Sequence, residues 1–246
     1  MSTINEEPED FQYRPIGIIK SPFKQKFAIP RQPNLVPQAK GEIVLYKEFA
    51  QADALRELER FSHLWVLFHF HATADQGWTP TVQPPRLGGK EKVGVFASRS
   101  PFRPNPVGLS VVKNLGIRQS HGALSIGIGG IDLLDETPVL DIKPYLPYAD
   151  CLTRARGGFA ESAPGSAITV QFTSAAEATL ADIGEEYSEL RQLITAVLQQ
   201  DPRPAWRVKK HDEKRYGMSL YDLNIKWHMG ADIITVDSIE QVTASN

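Results

Sequence analysis

A chain of 246 residues with 41% hydrophobic and 23% charged side chains has a globular balance, with length for one large or two modest domains; a fibrous or wholly disordered chain is excluded. A net charge of −2 excludes a globally basic nucleic-acid coat yet permits a local basic face, and the single cysteine, Cys151, excludes an internal disulfide and a cysteine-rich zinc site. No apolar run approaches the ~20 residues of a membrane span, and the start MSTINEEPEDFQ is acidic where a secretory signal is basic and then apolar, so no membrane association and a cytoplasmic location are expected.

Residues 1–11 are polar and acidic without periodicity and read as a flexible tail. A strand is predicted over 13–19, then a long irregular loop over 24–41 stiffened by Pro30, Pro33 and Pro37. A strand over 41–45, a short helix over 52–58 and a buried strand over 64–70, apolar apart from His69, come next. Prolines and glycines over 76–89 mark a second long loop. Strands follow at 94–97, 108–114, 123–129 and 139–142, a spacing that suggests a sandwich or small barrel.

After Pro147 the composition shifts to Gly, Ala, Ser and Pro, and 156–166 reads as a linker. Beyond it come a strand over 167–172 and one amphipathic helix over 175–200, with Leu180, Ile183, Tyr187, Leu190, Ile194 and Val197 at helical spacing. Strands at 219–228 and 232–236 are joined by a turn at Gly230. The expected organisation is a tail over 1–11, a β domain over 12–155 and a small α+β domain over 160–246.

Three stretches carry more chemistry than a fold needs. In Pro30-Arg31-Gln32-Pro33, prolines hold two planar hydrogen-bonding side chains that suit a carboxylate or a nucleotide edge, or else form a solvated turn. In GVFASRSPFRPNPVGLS, residues 94–110, three prolines fix Arg99, Arg103 and Asn105, and paired guanidinium groups suit an anion. In IDLLDETPVLDIKPY, residues 131–145, Asp132, Asp135, Glu136 and Asp141 surround a turn, where carboxylates hold ribose hydroxyls or an ammonium, cap the turn, or bind a divalent metal. His63, His69 and His71 flank the apolar strand, and with no third ligand in suitable spacing a polar strand face lining a pocket is preferred to zinc, so no metal is expected. Neither a dinucleotide-binding glycine fingerprint nor a phosphate-cradling GxxxxGK[ST] is present. Near the C-terminus Arg203, Arg207, Lys209, Lys210, Lys214 and Arg215 interleave with Trp206 and Tyr216, a pattern that suits phosphates and unstacked bases or forms a solvated basic loop.

PRQP at 30–33, FSHLWVLFHFH at 61–71, PPRLGG at 84–89, the 94–110 stretch and DETPVLDIKPYLPYA at 135–149 closely resemble the TsaA-like family of TrmO-type tRNA methyltransferases. DPRPAWR at 201–207 and YGMSLYDLNIKW at 216–227 resemble the small second domain of its bacterial members. The resemblance implies methyl transfer from S-adenosylmethionine to N6 of threonylcarbamoyladenosine, next to the anticodon of certain threonine tRNAs. It also implies a β-barrel in place of a Rossmann-like fold, and a homodimer. The fold class expected is therefore mainly β with an α+β addition, an N-terminal small antiparallel β-barrel followed by a small C-terminal α+β domain. Carried over position by position, the cofactor site falls on Pro30, Arg31, Gln32, Phe70, His71, Arg99, Leu109, Asp135, Glu136, Thr137 and Pro138. Glu136 stands where the family commonly has glycine, which keeps open an alternative, a non-catalytic tRNA-binding or regulatory protein with a degenerate cofactor site. Arg103 and Asn105 are expected to position the reacting base, and Arg203, Arg207, Lys209, Lys210 and Arg215 to contact the anticodon arm of tRNA.

Overall fold

Largely apolar strands, several with alternating burial, build the first half of the chain, because at least one face of each strand must leave water. A computed structural model describes residues 10–120, 123–164, 168–184, 187, 189–204, 214–230 and 232–242. The strands are β1 (Gly17–Lys20), β2 (Lys40–Leu45), β3 (His63–His69), the short pair β4 (Thr81–Val82) and β5 (Val93–Gly94), β6 (Val107–Ser120), β7 (Ala123–Gly129) and β8 (Pro138–Pro144). In β3 the residues Leu64, Val66 and Phe68 are buried while their neighbours are half-buried, and they pack with Ile19, Ile43, Val112, Ile126 and Val139 in one core. Each such side chain contributes roughly 1.5–3 kcal/mol by leaving water.

Strands β1, β2, β7, β6, β3 and β8 pair in that order, all antiparallel, and β8 returns to β1. That last seam is short: Gly17 lies opposite Val139 and Ile18 opposite Pro138, and Pro138 has no N–H to give the ladder. The expected fold class is corrected here. The chain is a mixed α/β protein with an N-terminal β-sheet domain and a C-terminal α+β domain, and its first sheet curls until its outer strands touch at a weak edge. The class is mixed α/β where mainly β was expected, and the six strands of the first sheet meet again only through the short β1–β8 seam.

The second unit begins after α1 (Pro147–Asp150). It holds β9 (Thr169–Phe172), α2 (Ser174–Asp182), α3 (Leu190–Gln199), β10 (Arg215–Leu220), β11 (Leu223–Met229) and β12 (Ile233–Gln241). Its sheet runs β10-β11-β12-β9, with β9 parallel to β12 and the other pairs antiparallel. Thr173 caps α2, its hydroxyl accepting the Ala176 N–H at 3.2 Å, an arrangement worth about 1 kcal/mol. Leu190, Leu193, Ile194, Val197 and Leu198 put one buried stripe on α3, packed in the core with Met218, Ile225, Trp227 and Val236 of the sheet.

Several expected elements shift. The single helix over 175–200 is two helices, because Ile183 ends the first and Gly184, a weak helix former, follows it. Residues 95–97, expected as a strand, make a tight 3-10 turn, and only Val93–Gly94 pairs, with Thr81–Val82. The 219–228 strand folds back on itself at Tyr221 and Asp222 to give β10 and β11. No helix among the described residues is long and apolar enough to cross a membrane.

One close approach fixes the middle of the first sheet. Gly108 on β6 lies opposite Phe68 on β3, and a Cβ there would run into the Phe68 ring. Gly108→Val should therefore lower stability by about 1–3 kcal/mol in urea unfolding, as overpacked cores do, and an unchanged midpoint would show that the ring moves freely.

Candidate active site

The irregular 24–37 segment, the end of β3, the proline-rich 98–110 loop and the β7–β8 connection converge on one cavity of about 530 Å³. That is room for a nucleotide-sized ligand. Its floor is apolar, with Ile29, Phe68, Phe70, Leu109 and Leu133 on the lining. Phe68 and Phe70 meet edge to face, ring centroids 5.0 Å apart. Its rim is cationic, with Lys26, Arg31, Arg99 and Arg103. Among the lining residues Asp132 is the sole carboxylate.

Of the carried-over residues, Pro30, Arg31, Gln32, Phe70, His71, Arg99, Leu109 and Thr137 all line this cavity. Arg99 Nη1 donates to Gln32 Oε1 at 2.5 Å, which ties the two proline-flanked loops together across 67 residues of sequence. Arg31 is exposed and makes no hydrogen bond or ion pair among the described residues. Leu109 is half exposed, an apolar face open to a ligand. Burial, the largest influence, lowers the pKa of His71 and favours its neutral ring. His69, outside the carried-over set, also lines the cavity, and no group of metal-binding side chains occurs among the described residues.

Asp135, Glu136 and Pro138 stand behind the lining and shape the turn. The Asp135 carboxylate accepts the Ser21 N–H at 2.8 Å and the Lys24 ammonium at 2.6 Å, while the Asp135 and Glu136 N–H groups donate to Phe23 O and Ile19 O, each at 2.8 Å. Glu136 sits at φ +64°, the left-handed conformation for which glycine is the easy choice. Its side chain turns outward to pair with Lys20. The turn thus keeps a glycine-like backbone and leaves the cavity side clear, which removes the observation behind the degenerate-site alternative.

Other expected roles need correction. Arg103 lines the cavity, but its Nη1 donates to Val95 O at 3.2 Å and Ser98 O at 2.7 Å, so it braces its own loop. Asn105 is exposed and off the cavity wall, its carbonyl accepting Val107 N–H at 2.7 Å. Arg203 is 2% exposed and forms a two-pronged pair with Asp201, at 2.8 and 2.7 Å, so its guanidinium does not face solvent phosphates. Arg215 remains exposed, 3.9 Å from Asp237. Arg207, Lys209 and Lys210 lie outside the described residues.

Lys26, Ser110 and Asp132 are polar cavity residues absent from the carried-over set. Lys26 reaches the rim only because the chain doubles back, and its ammonium donates to Ala72 O at 2.5 Å; nothing local signals it. Ser110 and Asp132 form a part-buried contact, Ser110 Oγ donating to Asp132 Oδ1 at 2.6 Å. The signal for Asp132 is its place between Ile131 and Leu133, both buried, on a connector whose apolar residues face the core. Burial pushes Asp132 up to about 6, opposed by the Ser110 hydroxyl, a backbone N–H and the Arg99 charge.

The comparisons with known proteins come down on the same stretches. The tRNA-methyltransferase O N-terminal domain family matches residues 18–151, and the TrmO C-terminal domain family matches residues 165–242. A curated Escherichia coli (strain K12) protein, tRNA (adenine(37)-N6)-methyltransferase, is 49% identical over 219 residues, covering 89% of this chain and 93% of its own length. A Pseudomonas aeruginosa relative, named provisionally as the S-adenosylmethionine-dependent methyltransferase RcsF, is 46% identical over 215 residues, covering 87% of this chain and 90% of its own. The crystal structure of TrmO from Pseudomonas aeruginosa superposes with a TM-score of 0.79 at 39% identity, over 94% of this chain and 99% of that one.

Two outcomes follow from the site's geometry. Asp132 is raised in the folded state, so the fold holds its proton more tightly than the unfolded chain does. Its contribution to stability is complete below the ordinary aspartate range and is lost as pH rises through about 6. Relative to Asp132→Asn, the wild type should lose at most about 3 kcal/mol between pH ~4 and ~7 in paired urea titrations. Glu136→Gly removes a left-handed strain of about 1 kcal/mol and an exposed ion pair worth less, so unfolding should show equal or slightly higher stability; a clear loss would mean that the Lys20 pair holds the turn.

Proposed function

We propose a function from one premise: the chain belongs to the tRNA-methyltransferase O family. It is an S-adenosylmethionine-dependent enzyme that methylates N6 of an adenosine in tRNA. The observation that carries this reading is convergence, since residues from the 30–32, 70–71, 99 and 109 stretches wall a single cavity of about 530 Å³.

The cavity fits the methyl donor on its own terms. A nucleoside joined to an amino acid needs an apolar slot, a cation for its carboxylate and a nucleotide-sized volume, and this cavity has all three. When bound, S-adenosylmethionine supplies an electrophilic methyl group on a positively charged sulfur. Arg31, with no partner among the described residues, takes the carboxylate; Arg99 is held in place by Gln32 and closes the same side. Leu109 and Phe70 cover the adenine face. The Asp135–Pro138 turn, pinned to the 19–23 segment, sets the width of the slot. Holding donor and acceptor in line is itself worth several kcal/mol.

The finer reading is that the acceptor is threonylcarbamoyladenosine next to the anticodon of threonine tRNA. Its N6 lies between a purine and a carbonyl, which makes its proton easier to remove than that of a plain exocyclic amine. The basic residues Arg207, Lys209, Lys210 and Arg215 are the contacts offered to the anticodon arm. The enzyme works as a homodimer in the cytoplasm. Val107 and Leu109, exposed on the cavity wall, are apolar surface that a second copy would cover, and a lone exposed Cys151 suits a reducing compartment.

Labelled S-adenosylmethionine incubated with tRNA carrying threonylcarbamoyladenosine should transfer its methyl group, and the same tRNA without that modification should stay unlabelled. Equal labelling of both would overturn the acceptor, and no labelling of either would overturn the activity. Arg31→Ala should weaken cofactor binding about 10–100-fold by calorimetry, the loss of a charge-assisted hydrogen bond.

A further inference from the structure

Asp132 is the one acidic side chain on a cavity wall that otherwise carries Lys26, Arg31, Arg99 and Arg103, with His69 and His71 at the end of β3. It is held firmly. Ile131 and Leu133 on either side are buried, Ile131 N–H donates to Ala39 O at 3.3 Å, and Leu133 O accepts the Ser21 hydroxyl at 2.8 Å. Ser110, itself 1% exposed, fixes Oδ1 through its hydroxyl, while Oδ2 makes no side-chain hydrogen bond among the described residues. A carboxylate on the wall of a ligand cavity, oriented by a buried hydroxyl, is placed to accept a proton.

We propose that Asp132 is the catalytic base of the methyl transfer, its Oδ2 taking the N6 proton of the acceptor adenosine. This rests on the methyltransferase reading of the same cavity. As the N6–CH3 bond forms, the S–CH3 bond breaks and its electron pair stays on sulfur as a neutral thioether. The N6 proton passes to Oδ2 and then to water, so the base ends neutral and methylated and Asp132 returns to its starting charge. The lining guanidinium and ammonium groups are hydrogen-bond donors and serve no such role. His71 is the rival acceptor, but its ring is engaged by the His69 backbone and burial holds its pKa below the ordinary imidazole value, whereas the Ser110 hydroxyl orients the Asp132 carboxylate on the cavity wall. A carboxyl raised to about 6 by burial is also a stronger base than an exposed one, while remaining ionised at neutral pH.

The charged and titratable groups around it are Arg99 and Arg103 from the 98–110 loop, Lys26 and Arg31 from the 24–37 segment, His69 at the end of β3 and His71 just after it. Below pH about 6 Asp132 carries its proton, and transfer should fall. Single-turnover transfer to threonylcarbamoyladenosine tRNA would be followed over about pH 5 to 8, with saturating cofactor. Wild type, Asp132→Asn and Ser110→Ala would be compared, alongside calorimetry of S-adenosylmethionine binding and carbon-detected NMR of the aspartate carboxyls without cofactor.

Asp132→Asn should slow transfer about 100-fold or more and abolish the acid limb, with cofactor affinity kept within about threefold. Ser110→Ala, which removes a hydrogen bond favouring the charged carboxylate, should move the acid limb and the NMR titration of Asp132 to higher pH together. Three results overturn the proposal. Asp132→Asn could transfer at the wild-type rate with its acid limb intact, which points to His71. It could lose cofactor affinity tenfold while the saturated rate holds, which makes Asp132 a partner of the donor's positive charge. Ser110→Ala could shift the NMR titration but not the limb. A wild type that methylates no tRNA under conditions where it binds the cofactor removes the functional reading itself, and this role with it.

Discussion

A short segment, Ser21 to Lys24, is stitched into three parts of the molecule at once. The Ser21 hydroxyl donates to Leu133 O at 2.8 Å, the Ser21 N–H and the Lys24 ammonium bind the Asp135 carboxylate, and Phe23 O receives the Asp135 N–H. On its other side Pro22 O accepts the Tyr221 N–H at 2.7 Å, and Phe23, 1% exposed, bridges to Leu220 of the second sheet. With so many backbone groups buried along it, each must find a partner or cost more than 1 kcal/mol. The cavity turn and the β10–β11 hairpin are therefore positioned by the same few residues, and neither can move far without the other.

Charge organises what the segment frames. Four cations on one wall would repel one another and any positively charged ligand if the cavity held nothing else. Gln32 neutralises none of them but fixes Arg99 in direction, and Arg103 is drawn back onto carbonyls of its own loop. What remains for a ligand is an anion-binding side at Arg31 and a single negative group at Asp132.

Much of this was legible in the chain because proline does in sequence what packing does in space. Pro30 and Pro33, and Pro101, Pro104 and Pro106, restrict their loops to few conformations, so the side chains between them could be read as a set. The strands over 41–45 and 123–129 showed through alternation and continuous burial. The helix over 175–200 misled because its apolar spacing runs through Gly184, where two helices share one stripe in projection. Asp132 was visible as a carboxylate, but its partner Ser110 lies 22 residues earlier, and a tertiary contact of that kind leaves no local period. Arg203 read as a surface cation because nothing in a basic run announces that Asp201 will fold back under it. The weak β1–β8 edge was equally hidden, since closure of a sheet depends on register between its first and last strands.

Glu136 has a bearing on how members of such a family are recognised. The constraint at that position acts on the backbone dihedral, +64°, and the side chain points away from the cavity toward Lys20. Residue identity there is thereby uncoupled from the reaction, at the modest energetic cost that a non-glycine residue bears in this conformation. A search pattern that demanded glycine would discard chains like this one as inactive. A pattern written on the fold, a left-handed residue after an aspartate that anchors the 21–24 segment, would keep them.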